Sequence, residues 1–419
     1  MTIAVVGLGY VGLPLAHAFA KKGHTVTGFD ISERRIAELS KGNDRTGEVP
    51  DSELKKAKID YTTDPVSLKK ASVIILAIPT PVDERNKPDL SPVEKASETV
   101  GKHMGKGAIV VYESTVYPGV TEDLCGPILE KASGMTCGKD FFLGYSPERI
   151  NPGDREHTVE KIMKIVAGQD EKTTDTLCDL YGSIVRAGIH RAPSIKVAEM
   201  AKAIENAQRD LNIAFVNEVA VLCNKLGIET KHVLIAAATK WNFLPFKPGL
   251  VGGHCIGVDP YYLVEMAEKM GIKTHVITAG RALNDSMSAH VANEVIHVLG
   301  KKAKGARVLV LGLTFKENVP DTRNSKSGDV IRHLQKGGCS VEAHDPYISA
   351  EEIAKLGWTA GSLESRPYDA VILLVPHKEY LDSAQKLLDA TKKDGLIYDL
   401  KSMLDGASIK HAERVYCTL

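Results

Sequence analysis

A cysteine and an aspartate four residues apart stand in the stretch Gly249-Leu250-Val251-Gly252-Gly253-His254-Cys255-Ile256-Gly257-Val258-Asp259-Pro260. Four glycines in nine residues let this backbone turn tightly and come close to a ligand. A thiol held in such a loop beside a carboxylate, Cys255 with Asp259, has the makings of a covalent nucleophile. A lone cysteine packed in a core beside a turn is the commoner case, and this stretch alone leaves both readings open. A second chemistry is written near the start of the chain. Gly7-Leu8-Gly9-Tyr10-Val11-Gly12 follows the apolar run Thr2-Ile3-Ala4-Val5-Val6 and opens a segment that predicts a helix to about Lys22. In such a G-x-G-x-x-G the first glycine makes the turn and the second admits a pyrophosphate to the helix N-terminus. The third packs helix on strand. Thr25-Val26-Thr27-Gly28-Phe29-Asp30 then predicts a strand closing on an acid, where a ribose-binding carboxylate belongs. The combination predicts dinucleotide binding, and Asp30 favours NAD because it would repel a 2′-phosphate. Arg34 and Arg35 follow, placed either against the adenine or in salt bridges on the helix surface.

Further candidates fall at strand ends. Val73–Ile78 runs into Pro79-Thr80-Pro81, Ala108–Tyr112 into Glu113-Ser114-Thr115, and Phe141–Tyr145 into Ser146-Pro147-Glu148-Arg149. Ligands of open α/β sheets bind at the carboxyl ends of strands, so Thr80, Thr115 and Glu148 are contacts for cofactor or substrate, or else helix caps and turn residues. In the middle, Val197, Met200, Ala201, Ile204, Leu211 and Phe215 recur at helical spacing over 194–226 with no proline. One long helix of this kind suits a domain connector and a dimer interface. Lys202, Asn206 and Arg209 share one stripe of it, which from spacing alone reads as a solvated face. Thr239 to Pro260 predicts a long irregular loop anchored by Trp241 and Phe243, followed by helices near 260–271 and 275–300.

The elements that carry these groups repeat. Arg307–Leu313 resembles the opening strand, and Gly338-Cys339-Ser340-Val341-Glu342-Ala343-His344-Asp345 echoes Gly23–Asp30. Ala370–Val375 and Leu396–Asp399 continue the series. This predicts a second Rossmann-like unit in which Thr314-Phe315-Lys316 replaces the glycine fingerprint. Lys316 with Arg323 suits phosphate binding, unless the unit only caps the fold. The expectation is an α/β protein with two doubly wound Rossmann-like domains, 1–193 and 301–419, joined by a central helical domain, 194–300. At 419 residues, 43% apolar and 25% charged, the composition is that of a soluble multidomain protein. Lys+Arg and Asp+Glu balance at 53 each, so no global field points to nucleic acid or a membrane. Seven scattered cysteines without a C-x-x-C pair predict a reducing cytoplasm and no structural metal site. The first residues enter a strand with no basic leader, which also predicts a cytoplasmic protein.

Taken together, Gly7–Gly12, Pro79-Thr80-Pro81, Ser114-Thr115-Val116, Ser146-Pro147-Glu148-Arg149, Lys202 with Asn206, Gly252-Gly253-His254-Cys255 with Asp259, and Phe315-Lys316 with Asp321-Thr322-Arg323 stand in family order over the whole chain. The sequence resembles the UDP-glucose/UDP-mannose dehydrogenase superfamily, the nucleotide-sugar 6-dehydrogenases. Thr239–Phe246 and Glu148-Arg149-Ile150-Asn151-Pro152-Gly153 look most like its branch that oxidises UDP-N-acetyl-hexosamines, with UDP-GlcNAc expected first and UDP-GalNAc or UDP-ManNAc as alternatives. The resemblance implies a four-electron oxidation of a 6-hydroxymethyl to a carboxylate, with two NAD⁺ reduced and one water consumed. It also implies a homodimer or higher oligomer built on the long helix, and a role in supplying surface polysaccharide.

That chemistry explains the residue types. Asp259, through water, or Lys202 accepts the hydroxyl proton. Lys202 and Asn206 stabilise oxyanions. Cys255 adds to the aldehyde as thiolate, and water hydrolyses the resulting thioester with Glu148 as organiser and Thr115 in support. The resemblance assigns the cofactor to Gly7, Gly9, Tyr10, Val11, Gly12, Asp30, Arg35, Thr80, Thr115 and Arg323. It assigns the UDP-sugar to Glu148, Arg149, Ile150, Lys202, Asn206, Arg209, Lys247, Gly249, Gly252, Gly253, Phe315 and Lys316. Lys240 and Lys247 are expected from the neighbouring subunit. The glucose-specific branch carries a second glutamate four residues after the first, where this chain has Pro152. Two rival readings are a two-electron hydroxyacid-type dehydrogenase, which needs no cysteine, and a non-catalytic NAD-binding scaffold.

Overall fold

A computed structural model describes residues 1–83, 86–150, 159–253, 255–365 and 367–419. Asn151, Pro152, Gly153 and His254, all named in the motifs above, lie outside the described residues. The chain divides into two compact units, Met1–Glu205 with Tyr261–Ile272, and Asn206–Pro260 with Lys273–Leu419.

The first unit is built on an eight-stranded sheet of β1 (Thr2–Val6), β2 (Thr25–Phe29), β3 (Ile59–Thr62), β4 (Val73–Leu76), β5 (Ile109–Tyr112), β6 (Phe142–Tyr145), β7 (Lys164–Gly168) and β8 (Ile189–Arg191). Its order is β3-β2-β1-β4-β5-β6-β7-β8. Strands pair in parallel from β3 through to β6, β7 turns antiparallel to β6, and β8 runs parallel to β7. Strands β4 and β5, and β1 after Thr2, are apolar because both faces are covered. Ala4, Val6, Ile74, Leu76, Val110 and Tyr112 pack in one layer, and Ile3, Val5, Val73, Ile75, Ile109 and Val111 in the other. Each such side chain contributes about 1.5–3 kcal/mol when fully buried. The order reverses between β1 and β4, which opens a crevice at their carboxyl ends.

The second unit repeats the plan with β9 (Arg307–Leu311), β10 (Ser340–His344), β11 (Thr359–Ala360), β12 (Tyr368–Leu373), β13 (Thr391–Asp399) and β14 (Val415–Thr418), in the order β11-β10-β9-β12-β13-β14 and with parallel pairings. The helix His275–Leu299 supplies Met287, Val291 and Val295 to one face of this sheet. β13 begins at Thr391, well before the apolar run expected from Leu396, because the polar residues Lys392–Asp394 precede the buried part of the strand.

The long helix runs Ile195–Leu226. The Ser194 hydroxyl accepts from Val197 N at 3.3 Å, and Gly227, at φ 70, ends the helix in a left-handed turn with Ile228 N on Cys223 O. Residues 238–253 and 255–258 are irregular, and the helix Asp259–Lys269 follows. Among the described residues no helix is long and apolar enough to cross a membrane.

Candidate active site

In the first unit, β1 delivers the chain into the glycine turn. Gly7 has φ +88, and a Cβ there would lie 2.6 Å from the Ala77 carbonyl; a Cβ on Gly12 would lie 1.8 Å from the Gly7 carbonyl. Neither position admits a side chain. The missing Cβ of Gly9 meets nothing within 4 Å, so backbone at the start of the helix Gly12–Lys21 is open to close approach. The Asp30 carboxylate braces this turn, accepting from Leu8 N at 2.9 Å through one oxygen and from Ser32 N at 2.9 Å through the other. A carboxylate has lone pairs to spare after two such bonds, so Asp30 still fits a ribose hydroxyl. Arg35 is 3% exposed, with Nε on the Leu8 carbonyl at 2.8 Å and Nη2 on Asp44 at 2.9 Å. It therefore supports the turn from beneath and makes no surface salt bridge. Thr80 and Thr115, at the ends of β4 and β5, come together: Thr80 Oγ1 donates to the Thr115 carbonyl at 2.8 Å. The buried Tyr262 donates its hydroxyl to the Thr80 carbonyl at 3.0 Å.

A second cluster in the same unit surrounds Glu148. One Glu148 oxygen accepts from Arg149 N at 2.6 Å and Ile150 N at 2.7 Å. The other is buried, lies 3.7 Å from the Lys164 ammonium and has no hydrogen-bond partner among the described residues. Lys164, the first residue of β7, is 4% exposed. Its ammonium bonds Glu113 at 2.5 Å and the Pro147 carbonyl at 3.1 Å, and Tyr181 donates to the other Glu113 oxygen at 2.6 Å. Burial pushes the Glu113 carboxyl up to about 7 against the pull of Lys164. Burial also works against the Lys164 charge, but Glu113 and Glu148 outweigh it and hold the ammonium above its ordinary value. Arg149 is turned to Glu205 at 2.7 Å and to the Met163 carbonyl at 2.8 Å, and Ile150 packs on the sheet core. Sequence reasoning missed Glu113, Lys164 and Tyr181. An acid directly after an apolar strand was the available signal for Glu113.

Lys202 and Asn206 lie one turn apart on the long helix and are 7% and 5% exposed, so the stripe is not a solvated face; Arg209 is half-buried. In the second unit Asn206 Nδ2 donates to Asp259 Oδ2 at 2.5 Å, and Asp259 N closes a turn on the Cys255 carbonyl at 2.8 Å. Cys255 is exposed, in the turn that leads into the helix starting at Asp259, where the helix dipole favours a thiolate. The glycine loop before it is gripped by side chains. Asn217, fully buried, accepts from Gly249 N at 2.8 Å and donates to Gly249 O at 3.0 Å and to Asn284 Oδ1 at 2.9 Å. Asn284 in turn donates to Asp210 at 2.7 Å, which pairs with Arg281 at 2.6 Å. Gly252 and Gly253 are small by necessity: a Cβ on the first would lie 2.7 Å from Asn324 O and on the second 2.8 Å from the Phe315 ring.

Residues 1–185 match the NAD binding domain, 196–286 the central domain and 309–406 the UDP binding domain of the UDP-glucose/GDP-mannose dehydrogenase family. The chain belongs to that family. It is an NAD-dependent dehydrogenase, and the second nucleotide sugar in the family's description is GDP-mannose where the sequence reading had UDP-mannose. The dehydrogenase is 52% identical over 419 residues, 99% of both chains, to Protein CapL of Staphylococcus aureus. It is 52% identical over 412 residues, 97% of both chains, to the UDP-N-acetyl-D-glucosamine 6-dehydrogenase of Pseudomonas aeruginosa. Among solved structures, the UDP-D-ManNAc dehydrogenase of Pyrococcus horikoshii superposes with a TM-score of 0.90 at 31% identity, covering 100% of this chain and 99% of that one.

Within the dehydrogenase's second unit, Lys247 and Gly249 line a cavity of about 440 Å³ together with Glu317, Asn318 and Lys401. Lys401, which forms an ion pair with Glu317, was not foreseen from the sequence. Lys316 is half-buried at the turn after β9, and Arg323 pairs through two nitrogens with Asp321, at 3.0 and 2.7 Å. Phe243 lines a neighbouring cavity of about 410 Å³, whereas Trp241 is 92% exposed. Lys240 is exposed. Among the described residues no cluster of His, Cys, Asp and Glu could hold a metal ion.

Proposed function

We propose that this dehydrogenase oxidises the C6 hydroxymethyl of a UDP-N-acetyl-hexosamine, UDP-N-acetylglucosamine in the first place, to the uronic acid for surface polysaccharide synthesis. The observation that carries the substrate is the 52% identity over 97% of the chain to an enzyme named for that substrate. Bound NAD⁺ supplies a hydride acceptor for each of the two oxidations. Asp259, held by Asn206, or Lys202 takes the hydroxyl proton in the first. Cys255 thiolate then adds to the aldehyde carbon, and Lys202 and Asn206 donate to the oxyanion. The covalent hold accounts for two oxidations without release of the aldehyde. After the second oxidation the thioester takes up water, with Glu148 as base and Thr115 in support.

The division into 1–193, 194–300 and 301–419 is part of the same proposal, as are a cytoplasmic location and assembly into at least a dimer. Dimerisation is supported by Val197, Met200, Ile204, Phe215, Leu222 and Leu226 of the long helix, between 38% and 72% exposed at roughly helical spacing. Lys247, Lys316, Arg209 and Arg149 are proposed for the UDP-sugar and Arg323 for the cofactor. The test is NADH formed per sugar with UDP-GlcNAc, UDP-GalNAc, UDP-ManNAc and UDP-glucose offered separately. Two NADH from one N-acetyl sugar is expected. One NADH, or preference for UDP-glucose, overturns the assignment.

A further inference from the structure

We propose that Lys164, clamped by Glu113 and Tyr181, is a positioning residue for Glu148, holding its second carboxylate oxygen in place for thioester hydrolysis. The inference rests on the role proposed above for Glu148. The geometry distinguishes the two Glu148 oxygens. One is tied down by the amides of Arg149 and Ile150, which sets the plane of the carboxylate. The other faces the Lys164 ammonium across 3.7 Å, too far for a direct hydrogen bond and close enough for strong attraction in a buried site. That oxygen is the one left to receive a proton.

Lys164 itself is not free to move onto Glu148. Its ammonium is held by Glu113 at 2.5 Å and Pro147 O at 3.1 Å, and it lies over the Tyr181 ring at 5.5 Å. The charged or titratable groups around Glu148 among the described residues are thus Lys164 on β7, Glu113 after β5, Tyr181 on the helix Glu171–Gly182, and Arg149. The Arg149 guanidinium is taken up by Glu205 on the long helix. A structural ion pair needs no third group; here the buried pair is aimed at a carboxylate, Glu148, that among the described residues keeps an unpartnered buried oxygen close to it. In the hydrolytic step the water oxygen adds to the thioester carbonyl carbon while its proton passes to Glu148. The C–S bond breaks, Cys255 leaves as thiolate, and the sugar carbon becomes a carboxylic acid that then ionises.

The experiment compares wild type, Lys164→Met, Lys164→Arg and the double variant Glu113→Gln/Lys164→Met, which does not strand the Glu113 charge and guards against misfolding of the single variant. Steady-state NADH formation with UDP-GlcNAc is followed from pH 5 to 9, and acyl adduct on Cys255 is measured by intact mass after acid quench. Loss of the ammonium should lower kcat by about 10–100-fold through a misplaced base, with KM little changed and acyl-enzyme accumulating. Lys164→Arg should restore most of the wild-type kcat. Glu148→Gln serves as reference and should accumulate acyl-enzyme at every pH. If Glu148→Gln accumulates none, the role given to Glu148 fails. If it does accumulate adduct while Lys164→Met and the double variant keep the wild-type kcat and accumulate none, the positioning role of Lys164 is overturned alone.

Discussion

Replacing Asn217 by alanine tests whether the glycine loop before Cys255 is held by its own side-chain network. The Asn217 amide makes three hydrogen bonds, two to the Gly249 peptide groups and one to Asn284, and both asparagines are fully buried. Truncation strands the Gly249 N–H, the Gly249 carbonyl and the Asn284 oxygen. Each costs about 1–3 kcal/mol when left buried without a partner. Water entering the gap and relaxation of the loop bring the sum to the low end, about 3 kcal/mol. For a unit of roughly 200 residues that is a fall in Tm of about 6–12 °C. Catalysis should suffer beyond stability, because Gly249 stands six residues before Cys255 and a displacement near 1 Å is enough for about a 100-fold loss. The assay pairs calorimetric Tm with kcat at saturating UDP-GlcNAc and NAD⁺, well below the variant's Tm. A variant that melts early yet keeps wild-type kcat would show that Cys255 is positioned without Asn217. A variant with unchanged Tm would refute the energetics as well.

Gly12→Ala places a Cβ 1.8 Å from the Gly7 carbonyl and should abolish NAD binding by fluorescence titration while the second unit melts as in wild type. Cys255→Ser should lower the yield from two NADH per sugar to one or fewer; full two-NADH turnover would exclude the thioester route. Glu199 accepts from Gly119 N at 2.6 Å and Thr121 N at 3.0 Å, and burial raises its pKa to about 7 from an ordinary value near 4.5. A raised carboxyl stabilises the fold below the unfolded value and loses that contribution as pH rises through the folded one, here between about 4.5 and 7, up to about 3 kcal/mol. Glu199→Gln should therefore lose less Tm than wild type between pH 5.5 and 8.5, and an equal loss in both would falsify the shift.

The elements legible in the sequence are those whose signal is local. β1, the glycine turn, the helix after it and the long helix are each fixed by a continuous apolar run or a helical period. β3, β7, β8, β11 and β14 were not singled out, since they are short and carry polar or half-exposed residues such as Asp60, Lys164 and His190. Site residues divided in the same way. Cys255 and Asp259 stand in a motif, but Lys164 opens a strand where lysine is ordinarily solvated, and only the packing of β7 beside β6 brings it to Glu113 and Glu148. Asn217 and Asn284 look like any polar residues of two helices. Their function depends on a pairing across 67 residues that no window along the chain contains.

The two sheets also explain why only one carries a dinucleotide fingerprint. Both use the same device at the first turn: a glycine at φ +88 or +86, Gly7 or Gly312, and an acid from the next strand accepting the following amide. Leu8 N bonds Asp30 at 2.9 Å, and Leu313 N bonds Asp345 at 2.6 Å. The positions of Gly9 and Gly12 are then taken by Thr314 and Glu317 in the second unit. The fully buried His377 lies against both Thr314 Oγ1 and Asp345, each at 3.0 Å. The acid proposed for the ribose in the first unit thus has a counterpart sealed by an imidazole in the second. Glu317, at the place of the packing glycine, reaches out to Lys401 instead. Side chains at these two positions remove the close backbone approach that a pyrophosphate needs at such a turn.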